Sequence, residues 1–163
     1  MYMSISRKVL DSLGELGISL SAKPGYSIPD LPRDITELDD EGLMDLFVQF
    51  TQWNDHLSGA HALAVINERE AQRNVDVAEA RAMMANWTGA KGGDKVTVIK
   101  AQITASPEVD ELYDDLNTKY AFRKLLETRA NNVERDSQVV SRELTRRTSD
   151  GGGMRSRQRK FTT

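Results

Sequence analysis

The stretch DDEGLMDLFVQFTQWNDHLSGAHALAVINEREAQRNVDVAEARAMMANW, residues 39–87, decides the fold. It reads as one almost unbroken helix of about 49 residues, roughly 70 Å long at ~1.5 Å per residue. Positions 43, 50, 57, 64, 71, 78 and 85 are Leu, Phe, Leu, Ala, Ala, Ala and Ala, an apolar residue at every seventh place. That repeat is the seam of a coiled coil. Leu46, Trp53 and Ala60 fill the second seam position for three heptads, after which it becomes Asn67, Asn74 and Arg81. The first half of the seam is well filled, and the second is thin and polar. Alanines allow close helix approach but bury little area, so stability there must come from partners.

Outward from this helix, Asp39, Asp40 and Glu41 place negative charge at its positive end, and Asp34 with Glu37 matches a capping-box-like start. Residues 17–33 hold Pro24, Pro29 and Pro32 with Gly25 and several serines, a linker that is extended in part. Before it, Ile5, Val9, Leu13 and Leu16 form one stripe of a short helix ended by Gly14 and Gly17. That stripe either docks a partner or packs on the bundle.

Downstream, residues 89–94 (GAKGGD) are a hinge, expected to form the main turn. Val96 to Ile103 alternates apolar and polar residues and reads equally as a short strand or a helical lead-in. Pro107 restarts a helix at its first position, and this second helix is expected to reach about Thr148. Val109, Leu112, Leu116, Tyr120, Leu126, Val133, Val140 and Leu144 mark its buried stripe. Leu46, Phe50, Trp53 and Leu57 should face Leu126, Val133 and Val140, or a neighbouring subunit. Gly151-Gly152-Gly153 should end order, leaving a basic tail that is disordered until bound. The fold expected is all-α: a long, elongated helical hairpin that forms homo-oligomers. Its three parts are residues 1–33 (short helix and linker), 34–148 (hairpin) and 149–163 (flexible basic tail).

Composition agrees. Apolar residues are 39 % and aromatics 6 % of 163, lean for a globule and ordinary for a long helical protein. With no cysteine there is no disulfide, thiolate metal site or Cys nucleophile. The longest strongly apolar run, Ala62 to Ile66, is far short of the ~20 residues that span a bilayer. The N-terminus has no apolar signal core, so a cytoplasmic location and no membrane partner are expected. His56 and His61 stand five apart, whereas zinc ligands on one helical face need spacings of three or four. The glycines near Lys91 lack the spacing of a phosphate loop, and the paired carboxylates lie on solvated regions. No enzyme activity, metal or cofactor is expected.

Charge is polarised. From Arg142 to Thr163 seven basic residues (Arg142, Arg146, Arg147, Arg155, Arg157, Arg159, Lys160) meet two acidic ones, so a chain of net charge −3 carries +5 at its end and −8 elsewhere. The basic end reads equally as a solvated helix terminus, where arginines favour the dipole, and as a polyanion contact. At the hinge, Trp87 stands near Lys91, Lys95 and Lys100. Single-stranded nucleic acid is held in this way, a base on the ring and phosphates on the ammonium groups, though Trp87 could as well pack the base of the hairpin.

The run from Trp53 to Gly93, followed by Val109 to Arg147, resembles the UvsY-like recombination mediators of tailed bacteriophages. The shared plan is a long helix with a mid-helix aromatic, a Glu70-Ala-Gln72 stretch, an Ala80-Arg81 step, Trp87, and the hinge Gly89-Ala-Lys91-Gly92. A second long helix then carries Asn131-Asn132 and Arg146-Arg147. The resemblance implies rings that bind single-stranded DNA and help a RecA-like recombinase displace single-strand-binding protein during DNA recombination and repair. The family's basic step is Lys-Ala-Arg, and this chain has Glu79-Ala80-Arg81. Only Arg81 carries over, which moves the expected DNA contact towards the hinge lysines and the tail. The other reading of the chain is a phage structural or assembly protein, whose long helices bridge virion subunits.

Overall fold

The computed structural model describes the backbone of residues 4–86 and 93–159, with the side chains of 4–86 and 96–149. Its elements are four helices, α1 (Ile5–Glu15), α2 (Asp40–Asn86), α3 (Gly93–Thr104) and α4 (Pro107–Arg159), with a 3₁₀ turn at Ile35–Glu37. No strand occurs among the described residues. The fold is all-α, and α2 and α4 pack together as a helical hairpin. None of the described helices is long and apolar enough to cross a membrane.

Helix boundaries follow local chemistry. Ser4 caps α1 by accepting from the Arg7 N–H. At its far end Gly17 takes a positive φ of 72°, and the Ile18 N–H closes back on the Leu13 carbonyl at 2.9 Å. Asp34 caps the 3₁₀ turn, accepting from the Thr36 N–H at 2.9 Å and from its hydroxyl. The cap of α2 is Asp39, whose Oδ1 accepts the Gly42 N–H at 2.8 Å. The start signal therefore divides between two acids: Asp34 begins the short turn and Asp39 the long helix.

Residues 96–103, left open between strand and helix, lie in α3. Val96, Thr97, Val98 and Ile99 favour extended backbone. A solitary strand would leave its N–H and C=O groups unpaired, whereas a helix pairs them internally. The chain breaks again between α3 and α4 at residues 105–106, where the Ser106 hydroxyl donates to the Ile103 carbonyl at 2.8 Å. Of the expected hinge at residues 89–94, residues 89–92 lie outside the described residues, and 93–94 begin α3. The helix expected to end near Thr148 runs, as backbone, through Gly151–Gly153 to Arg159. Glycine in a helix costs about 1 kcal/mol each, which is a penalty and not a block. The expected flexible tail rests on side chains outside the described residues.

The chain divides into two compact units. The first comprises Met1–Ser19 with Ala60–Leu126, the second Leu20–Gly59 with Glu127–Thr163. In the second unit the core is Leu43, Leu46, Phe50, Trp53 and Leu57 of α2 with Val133 and Val140 of α4. The linker is bound to α2 here: Leu20 lies against Gly59, where an added Cβ would come within 3.5 Å of it. His56 Nδ1 donates to the Ser21 carbonyl at 2.9 Å, and the Tyr26 hydroxyl donates to Gln52. In the first unit the core is smaller: Ala64, Ala71 and Val75 of α2, Ile103 of α3 and Val109 of α4. Leu126, expected beside Trp53 and Leu57, belongs to this unit and is half-buried.

The seam of α2 departs from the heptad in the first unit. Val75 is 1 % exposed, whereas Asn74 and Ala85 are exposed. An α-helix repeats every 3.6 residues, so a seven-residue stripe drifts by about 20° per heptad unless the helix supercoils. On α4 the stripe passes through Lys119 and Arg123, and Tyr120 is 49 % exposed where burial was expected. The Arg123 guanidinium sits 5.3 Å from the Tyr120 ring centroid and pairs with Glu68 of α2.

Candidate nucleic-acid interface

The first unit holds three exposed cations around one groove. Its groove, about 850 Å³, opens between the start of α1, the Glu70–Ala85 face of α2 and the start of α4. Arg73, Val77, Arg81 and Ala85 follow one another at four-residue steps and share a face of α2. The two arginines stand about 12 Å apart along the axis. Lys8 of α1 joins them as a third lining cation. Arg73, Arg81 and Lys8 are exposed and make no side-chain hydrogen bond or ion pair among the described residues.

Two carboxylates also line this groove, Glu70 and Glu108. Glu70 is engaged: both its oxygens accept the Ile5 N–H, at 3.1 and 3.2 Å, which stabilises the positive end of α1 and fixes that helix on α2. The Ser6 hydroxyl and the Asn67 side chain make the neighbouring contact. Along the stripe of α1, Ile5, Val9 and Leu13 are half-buried, while Leu16 is 74 % exposed. This docking brings Lys8 to the groove.

Glu79 bridges the two long helices. Its Oε1 accepts the Tyr113 hydroxyl at 2.7 Å, joining α2 to α4. The carboxylate raises the Tyr113 pKa, because losing that proton would break the bond. Arg81 lines the groove, so Glu79 and Arg81, two residues apart, serve different contacts.

Arg146 and Arg147 have partners inside the second unit. Glu143, 7 % exposed, accepts from Arg146 Nη2 at 2.6 Å and from Arg147 Nε at 2.8 Å. The Arg146 bond, then the Arg147 bond, pulls the Glu143 pKa down to about 2. Arg147 continues to Asp40 at 2.9 Å and to the Thr36 carbonyl at 3.0 Å, clasping the start of α2 to α4. Its three nitrogens are all engaged. Arg142 and Lys100 are exposed on α4 and α3. Trp87, Lys91 and Lys160 lie outside the described residues, as do the side chains of Lys95, Arg155, Arg157 and Arg159.

Arg73 and Lys8 were not singled out in the sequence. Arg73 was legible, standing eight residues before Arg81 with only Val77 between them on that face. Lys8 was not, since its place depends on where α1 docks. The histidines stay apart from the interface: His56 is bonded to the linker and stacks edge-on to Trp53 at 5.8 Å between centroids. No family model, characterised protein or solved structure matches this chain.

Proposed function

We propose that this chain is a non-catalytic, homo-oligomeric protein that binds single-stranded DNA and acts as a phage-type recombination mediator, passing the strand to a RecA-like recombinase in place of single-strand-binding protein. The observation that carries the reading is the set of three cations, Lys8, Arg73 and Arg81, that line one groove of the first unit and have no side-chain partner among the described residues. A guanidinium offers a planar fork of donors that matches phosphate oxygens. An arginine with no internal partner keeps that fork for a ligand. Arg81 is also the position that the resemblance carries over. Lys100, exposed in the same unit, would add a contact, and Arg142 with Arg155, Arg157, Arg159 and Lys160 is proposed as a separate basic contact at the C-terminal end.

A subunit of net charge −3 binds a polyanion weakly, so assembly is part of the proposal. Repeating the groove by symmetry multiplies weak contacts into avidity. Exposed apolar residues of the first unit, Phe122 at 58 % and Leu125 at 71 %, give α4 a surface suited to a neighbouring copy. The test is a titration of a fluorescent oligothymidylate with the purified chain, read by anisotropy at low and moderate salt. Binding that weakens steeply with salt supports the reading. No binding at low salt would reject it and favour the structural-protein alternative.

A further inference from the structure

A second groove, about 770 Å³, belongs to the second unit alone. It lies between the linker residues Lys23 to Ile28, Trp53 of α2 and Arg129 of α4. We propose that it is a stacking subsite for single-stranded DNA, in which one base lies on the Tyr26 ring and the flanking phosphates meet Lys23 and Arg129. This subsite presupposes the single-strand binding proposed above and adds a second contact to it, on a surface that plays no part in the first.

Charge selects an anion. Lys23 and Arg129 both line the groove, both are exposed, and neither has a hydrogen-bonding or ionic side-chain partner among the described residues. No carboxylate lines it among the described residues. In a chain with more acids than bases, a concave site carrying only positive charge is matched to an anion. The bend at Gly25–Tyr26 adds donors, because the N–H groups of both residues make no hydrogen bond among the described residues. An added Cβ on Gly25 would meet nothing within 4 Å, so a phosphodiester has room to come close to the main chain there.

Tyr26 separates a nucleotide from other anions. It lines the groove and is 37 % exposed. Its hydroxyl donates to Gln52 Oε1 at 2.5 Å, which ties the tip of the ring to α2 and leaves the ring's π-system to meet a ligand. A ring held in advance loses less conformational freedom when something stacks on it. Cations beside an exposed aromatic are the means by which single strands are held without sequence preference, since every base has a π-face and every link a phosphate. An inorganic anion or an acidic peptide would use Lys23 and Arg129 and leave the ring idle.

Size and walls agree with a base and its sugar. The volume falls within the range of about 300–1,000 Å³ that ligand sites occupy, well beyond a single-ion niche. Pro24, Ile28 and the Trp53 side chain supply apolar wall. Trp53 is only 6 % exposed, so of the two aromatic residues in the groove it is Tyr26 that can act as the platform.

The test uses the full chain and two probes: an oligothymidylate carrying 5-iododeoxyuridine, and an abasic strand of equal length. Irradiation of the wild-type complex should cross-link the oligothymidylate to Tyr26, mapped by mass spectrometry, a readout that needs no variant to fold. Tyr26→Leu should weaken oligothymidylate binding about tenfold, the weight of one stacked base, and leave affinity for the abasic strand unchanged. Tyr26→Phe, which keeps the ring and loses the bond to Gln52, should retain most of the wild-type affinity. The double variant Lys23→Gln, Arg129→Gln should flatten the salt slope for both strands by about 0.7 per lost contact, with an unchanged circular dichroism spectrum. An oligothymidylate that binds yet neither cross-links at Tyr26 nor responds to Tyr26→Leu would overturn the subsite and leave single-strand binding standing. A Tyr26→Leu loss of equal size on the abasic strand would also overturn it, because the ring would then support the phosphate contacts and not a base. No binding of oligothymidylate at low salt would overturn both.

Discussion

Glu143 sits under two guanidinium groups, and its burial would disfavour the charge that they hold in place. Its pKa falls from an ordinary 4.5 to about 2, first through the Arg146 bond and then through Arg147. A carboxylate depressed on folding contributes stability that is full above the unfolded value and lost as pH falls through the folded one. The Glu143 clasp should therefore weaken between about pH 4.5 and pH 2. Thermal melts of wild type and Glu143→Gln should differ at pH 6, with the wild type more stable, and converge as pH approaches 2. A constant gap across that range would mean that the bonds do not stabilise the fold. The notion of a basic end near Arg142 was legible in the sequence. That Arg147 reaches Asp40, 107 residues earlier, was not, because the contact exists only once α2 and α4 are paired.

At the scale of the element, α2 was legible almost to the residue, and so were α1 and the start of α4 at Pro107. Heptad spacing identified Leu43, Leu46, Phe50, Trp53 and Leu57 because large side chains at a and d positions leave one choice of buried face. Beyond Gly59 the candidates are alanine and valine, and their small areas do not fix the face. There the 3.6 periodicity decides, and Val75 replaces Asn74. Val75→Ala should cost about 2 kcal/mol, for two lost methyl groups and a small cavity, whereas Asn74→Ala should change stability by no more than about 0.5 kcal/mol. Chemical denaturation of the two variants checks this, and a larger loss for Asn74→Ala would restore the strict heptad. Residues 96–103 were illegible for a different reason: strand propensity is local, but a strand needs a neighbour, and none is present among the described residues.

At the scale of the whole molecule, the sequence displayed its charge asymmetry but not which cations remain free after folding. Folding engages Arg123, Arg146 and Arg147 with acids, and leaves Arg73, Arg81 and Lys8 around one groove. Assembly is the companion expectation, since the core of the first unit relies on small residues such as Ala64 and Ala71 while Phe122 and Leu125 stay exposed. Sedimentation at low micromolar concentration should give an oligomer, and a stable, well-folded monomer would contradict that. The most direct measurement is the salt dependence of oligothymidylate affinity for wild type and for Arg73→Gln, Arg81→Gln. Each lost phosphate contact lowers the slope of log affinity against log salt by about 0.7 on a single strand. The double variant should bind more weakly, with a flatter slope and unchanged helicity. An unchanged affinity and slope would contradict it, and would place the nucleic-acid contact elsewhere on the chain.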